Sequence, residues 1–176
     1  QSFRTYFNPQ PLPRPCAVTE SLTVFTDGSG TSGRCNANTP AGWGWTSTRD
    51  FLEFLDSGGP VIVNPSIPSY LGASVGSNNT AELSAWMEAA IFLLATQLPH
   101  SVTFVYDSKW TANMITGKWR PKRHKSMIAT ARAIYQTLSA KTNVEWEWVK
   151  GHSGNMGNTR ADALANRGKS SPAGFG

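Results

Sequence analysis

The chain has 176 residues, 39% of them hydrophobic and 15% charged, and a formal net charge of +5. That length suits one domain with a sizeable core, and the mix is globular rather than disordered. No apolar run is long enough to span a bilayer, and no secretory leader pattern opens the sequence.

Residues 1–20, with Pro9, Pro11, Pro13 and Pro15 and no helical or strand period, are expected to be an extended arm. The first residue is Gln rather than Met, as in a processed product or a fragment. Residues 21–168 read as the folded domain, and residues 169–176, rich in Gly, Ser and Pro, as a flexible tail. Residues 21–26 predict a strand that runs into Asp27-Gly28-Ser29-Gly30, and residues 41–48 a second strand. Between 51 and 76, strand-like pieces are split by Gly58-Gly59-Pro60, Pro65 and Pro68. Residues 70–75 are expected to be the third strand, the rest a long excursion.

The strongest helix covers 79–98, where Leu83, Trp86, Met87, Ala90, Ile91 and Leu94 share one face and Pro99 stops the run. Residues 101–106 predict a buried strand, and 108–116 a helix closed by Gly117. In the next helix Met127, Ile128, Ala131, Ile134, Tyr135 and Leu138 share a face. Residues 143–150 alternate as a strand, and a turn-rich loop leads to a last helix over 159–167. The order β-β-β-α-β-α-α-β-α implies an α/β domain: an antiparallel meander, then strands joined through helices and hence parallel.

Lys118, Arg120, Lys122, Arg123 and Lys125 match the whole net charge with no acid among them. Such a run is either a solvated surface loop or a polyanion site. Trp119 within it favours the second, since an aromatic among cations suits a phosphate backbone and a sugar face. Cys16 and Cys35 form no CxxC pair, and with three scattered histidines they exclude a zinc finger. A reducing, intracellular setting is expected.

Several acids sit where chemistry would need them, yet each has an ordinary structural role on offer. Asp27 and Asp107 end apolar strands, where ligands of open α/β sheets bind, but Asp-Gly and Asp-Ser are also common turn and cap pairs. Glu82 lies three residues after Asn79, the capping-box position. Asp162 falls in a helix first turn, where the dipole favours an acid. His152 lies in a Gly-His-Ser-Gly loop that need have no function.

The four strings FTDGSG (25–30), NNTAEL (78–83), YDSK (106–109) and GHSGNMGNTRADALA (151–165) occur in this order. Together they resemble the type 1 ribonuclease H family, whose members cut the RNA strand of RNA–DNA hybrids. The resemblance covers about residues 21–167. It implies a ribonuclease H-like fold: a five-stranded mixed sheet, antiparallel then parallel, flanked by helices. By that resemblance Asp27, Glu82, Asp107 and Asp162 are the metal-binding carboxylates, and His152 is the mobile-loop histidine that assists proton movement or product release. Gly28, Ser29, Asn78, Asn79, Lys109, Trp119 and Asn158 fall on or near substrate-contacting positions. Lys109 stands where bacterial members commonly have glutamine. Two Mg²⁺ ions, with Mn²⁺ as the alternative, would serve an in-line hydrolysis leaving 3′-hydroxyl and 5′-phosphate ends.

The pattern also departs from the family. Asp27 and Glu82 lie farther apart than expected. The span from Asp107 to His152 is short, which leaves residues 117–125 as an abbreviated basic handle. Weaker hybrid affinity, or help from a partner domain, would follow. Too few residues precede the first strand for the small hybrid-binding domain that many relatives carry. These departures fit a monomeric domain cut from a retroelement or viral reverse transcriptase polyprotein as well as a free-standing enzyme. Other functions on such a fold are DNA processing of the integrase, transposase or resolvase type, and an inactive nucleic-acid-binding module.

Overall fold

The computed structural model describes residues 21–48 and 54–171. The predicted arm and residues 172–176 of the predicted tail lie outside the described residues. The elements are β1 (Ser21–Ser29), β2 (Gly42–Thr48), β3 (Phe54–Pro60), α1 (Asn78–Leu94), β4 (Ser101–Tyr106), α2 (Lys109–Ile115), α3 (Lys125–Ser139), β5 (Asn143–Trp148) and α4 (Met156–Lys169). Their order is the predicted one. The sheet runs β3-β2-β1-β4-β5, with β1, β2 and β3 antiparallel and β1, β4 and β5 parallel.

The two faces of the sheet are set by the alternation along β2. Trp43 and Trp45 point one way, and Trp45 meets Phe92 of α1 with ring centroids 5.1 Å apart. Gly42 and Gly44 point the other way, so α4 lies on the opposite face. A Cβ at Gly44 would come within 2.6 Å of the Ala161 carbonyl oxygen and the Ala165 nitrogen. Small residues here let α4 lie directly on the sheet. Gly44→Ala is therefore expected to push α4 outward and to destabilise the domain by about 1–3 kcal/mol, read from urea or thermal unfolding.

The larger core is on the α1 side. Trp86 is buried against Phe104, Trp146 and Tyr135 at centroid distances of 5.4, 5.6 and 6.2 Å. Met127, Ile128 and Leu138 of α3 complete it, as their helical spacing predicts.

The third strand is not 70–75 but Phe54–Pro60, a correction with a clear cause. The sequence of β3 is small and polar because its cross-strand partners are large: Trp43 faces Gly59 and Trp45 faces Ser57. Its single acid, Asp56, is buried, accepts from the Thr46 hydroxyl at 2.7 Å and pairs with Arg160 of α4 at 2.5 Å. The apolar stretch 70–75 is instead irregular. Leu71 and Ala73 pack on the core, while Gly72 takes a φ of +110° close to Met127 of α3.

Helix boundaries also move. The α1 cap is Ser77, not Asn79, and the capping box joins Ser77 to Thr80. Glu82 is thus released from the capping role offered by the sequence. The helix ends at Leu94, before Pro99, with the Thr96 hydroxyl bonded back to the Leu93 carbonyl at 2.9 Å. Helix α4 starts at Met156 because Asn155 caps it, and runs on to Lys169, the first residue assigned to the tail.

Candidate active site

Strand β1 has two neighbours that part company. Its parallel pairing with β4 ends at Phe25 and Val105, whereas its antiparallel pairing with β2 continues to Ser29 and Gly42. Asp27 lies inside β1, just beyond this fork, not at the strand end that the sequence suggests. Asp107 directly follows β4. Both carboxylates therefore sit at the crevice where an α/β sheet changes direction.

Glu82 is brought to them by a glycine. A Cβ at Gly28 would lie 2.4 Å from the Glu82 nitrogen and 2.6 Å from the Ala81 carbonyl carbon, so α1 touches β1 backbone to backbone. As a result, carboxylate oxygens of Asp27, Glu82 and Asp107 all lie within 4.8 Å of one another. Asp27 and Glu82 are only 4% and 5% exposed.

Such crowding disfavours ionisation. Burial above all, then the Asp107 charge, pushes Asp27 from 3.8 up to about 8. Burial, then the Asp27 and Asp107 charges, holds Glu82 well above the usual carboxylate range. Asp107 is raised mainly by burial, against an opposing hydrogen bond from Asn158 and the favourable charge of His152. Asp162, half-buried on α4, is close enough to contribute to the rise at Asp27.

The other sequence-predicted residues lie in different places around this cluster. Asn158 is buried and donates from Nδ2 to the Asp107 carboxylate at 3.4 Å, so it supports an acid rather than facing solvent. His152 is exposed in the loop before α4, with a left-handed φ of 59°. The neighbouring Gly151 approaches Asp107 so closely that a Cβ would sit 3.0 Å from its Oδ2.

Asn78, Asn79 and Trp119 line a groove of about 1000 Å³. It opens at the N-terminus of α1, one turn before Glu82, and its walls include Arg34, Arg120, Lys122 and Arg123 with no carboxylate. Residues 116–124 join α2 to α3 without a helix of their own, as the short spacing predicts. Arg132 of α3 fixes this segment, donating to the Met114 carbonyl at 2.8 Å and to the Trp119 carbonyl at 2.9 Å. Lys109 lies apart from the groove lining, with its Nζ 4.2 Å from the centre of the Trp148 ring.

Sequence reasoning passed over Asn166. Its Oδ1 accepts from the Ser29 hydroxyl at 2.6 Å, and its Nδ2 donates to Asp162 over a long 3.5 Å. The available signal was its place one turn after Asp162 on the same helical face.

A family model described as RNase H matches residues 19–170. A ribonuclease H of Verminephrobacter eiseniae is 37% identical over 168 residues, covering 88% of this chain and 94% of that protein. One from Polaromonas naphthalenivorans is 32% identical, covering 85% of this chain and 87% of its own length. Among solved structures, the N-terminal RNase H domain of a Mycobacterium tuberculosis protein, fused to maltose-binding protein, superposes with a TM-score of 0.63 at 23% identity. It covers 86% of this chain and 95% of its own. LC11-RNase H1 in complex with an RNA/DNA hybrid gives 0.60 at 19% identity, covering 85% of this chain and 96% of its own. The curated relatives named are bacterial, so a retroelement parent finds no support among them.

Proposed function

This chain belongs to the ribonuclease H family, and from that premise we propose that it hydrolyses the RNA strand of RNA–DNA hybrids at the Asp27–Glu82–Asp107 cluster. The observation that carries this is the convergence of three carboxylates, two of them buried, beside a cationic groove. A binding module for polyanions would be weakened by such a cluster. A hydrolase needs one.

The donor set fits Mg²⁺: oxygens only, closely gathered, and held in a state that a cation would relieve. Asp27, Glu82 and Asp107 would hold one ion, and Asp162 would complete the site for a second. Bound there, such ions supply Lewis acidity and make water nucleophilic near neutral pH. The chain's own residues do the rest. Water adds to phosphorus, the bond to the 3′-oxygen breaks, and 3′-hydroxyl and 5′-phosphate ends result. His152, exposed beside Asp107, is suited to accept or deliver a proton at the leaving or attacking oxygen.

The groove sets the substrate. Arg120, Lys122 and Arg123 neutralise a phosphate backbone, and Trp119 offers a ring face to a sugar or base. Asn78 and Asn79, with Gly28 and Ser29 behind Asp27, supply the polar groups that distinguish a 2′-hydroxyl. None of the described elements resembles a major-groove recognition helix, in keeping with a substrate recognised by its backbone and sugars.

The test is cleavage of end-labelled RNA paired to DNA, with Mg²⁺ and with EDTA, beside duplex RNA, duplex DNA and the Asp107→Asn protein. Cleavage only of the hybrid, only with metal and only by the unmodified chain is expected. Cleavage of DNA, or of duplex RNA alone, would overturn it. In the same assay Trp119→Ala is expected to raise KM for the hybrid about tenfold, in keeping with the loss of one stacked ring, with a smaller change in kcat.

A further inference from the structure

We infer that Trp148 is a positioning residue that sets both Asp107 and Lys109. The inference rests on the ribonuclease reading above and concerns two residues that reading leaves unconnected. Trp148 ends β5 and pairs with Tyr106, the last residue of β4. The Val149 nitrogen bonds to the Tyr106 carbonyl at 2.9 Å, so the ends of the two strands are held together.

The indole of Trp148 then makes two further contacts. Its Nε1–H donates to the backbone carbonyl of Asp107 at 2.9 Å. Its ring face carries the Lys109 ammonium at 4.2 Å, a cation–π distance. Among the described residues, large exposed hydrophobics are confined to Trp119, Trp148 and Met156, and Trp148 is 44% exposed. Core packing does not explain so large a ring at the surface.

Both contacts act on the chain immediately around one acid. Asp107 leaves its strand here, where no further β4–β5 pair can hold its carbonyl. The indole N–H supplies that missing bond and so limits rotation of the Asp107 backbone. Its side chain is steadied separately, by Asn158. Lys109 is exposed and long, and a free lysine would sample many rotamers. Resting on the ring, its charge is kept at the end of β5, on the same indole that holds the Asp107 backbone. Trp148 thus acts on catalysis through Asp107 and on substrate affinity through Lys109.

The two roles separate by substitution. Trp148→Phe keeps a ring face and deletes the N–H; Trp148→Leu deletes both; Lys109→Met removes the cation. In steady-state cleavage of the hybrid, Trp148→Phe is expected to lower kcat about threefold to tenfold with little change in KM. Lys109→Met is expected to raise KM about twofold to fivefold. Trp148→Leu should do both, and adding Lys109→Met to it should raise KM no further, because the two residues act as a unit. Melting temperatures confirm that each variant is folded, and Trp148→Met replaces Trp148→Leu if the latter is not.

The inference is overturned if Lys109→Met raises KM as much in the Trp148→Leu background as in the unmodified chain, or if Trp148→Phe keeps full kcat. An unmodified chain that leaves the hybrid uncut would instead sink the ribonuclease reading itself.

Discussion

Asp27→Asn is expected to lose hybrid cleavage by about a thousandfold or more while raising the melting temperature of the metal-free protein. The first effect follows from removing one ionic oxygen donor from a site built to hold cations, which is worth several kcal/mol of transition-state stabilisation. The second follows from burial. Asp27 is 4% exposed and shares its cavity with Glu82 and Asp107. Asparagine is nearly isosteric and keeps an oxygen for the Gly28 N–H, which donates to Asp27 Oδ1 at 2.9 Å. What is lost is a carboxyl that the metal-free fold must keep protonated, not packing. For a chain of this size each kcal/mol of protonation cost removed is about 2–4 °C in Tm, so a rise of several degrees in EDTA near neutral pH is the outcome to look for. A marked fall would make Asp27 a structural residue.

The pH dependence of stability should carry the same signature. The folded pKa of Asp27, about 8, lies above its ordinary 3.8, so the metal-free native state holds a proton that the unfolded chain releases. This contribution is full below about pH 4 and is lost as pH rises through about 8. Glu82 and Asp107 are shifted in the same direction and add to the slope. Metal-free Tm is therefore expected to fall between pH 5 and pH 8. Saturating Mg²⁺ should raise Tm more at pH 8 than at pH 5, since at low pH the ion must displace protons. At about a hundred times Kd the gain is about 2.7 kcal/mol, a readily measured shift. A Mg²⁺ effect equal at both pH values, or a metal-free Tm that climbs across this window, would mean the cluster is not the ion site.

Much of this was legible in the sequence because hydrophobic spacing and motif order are local signals. Trp86, Met87 and Ala90 announce α1 by period alone, and FTDGSG and YDSK mark the two strands that flank the crevice. What failed was pairing. β3 is polar and glycine-rich because β2 supplies the tryptophans, and no property of Phe54–Pro60 taken by itself reveals that partner. The apolar stretch 70–75 had the composition of a strand but was needed as irregular core filling beside α3. Asn79 was a plausible cap, yet Ser77 and Thr80 satisfy each other and leave Glu82 for the cluster. Contacts that join distant segments, such as Trp148 with Asp107 or Arg132 with Trp119, leave no trace at fixed sequence spacing.

The three converging acids come from β1, from α1 and from the residue after β4, so no contiguous piece of chain carries the site. Until β1, α1 and β4 have come together, the same carboxylates are separated along the chain and do not form the cluster. Competence for hydrolysis thus arises only with completion of the long-range strand pairing, the slowest kind of contact to form. A nuclease made this way is silent while it is being synthesised and falls silent again once its sheet opens. Its own folding serves as the safety catch on a reaction that a cell must confine to finished enzyme.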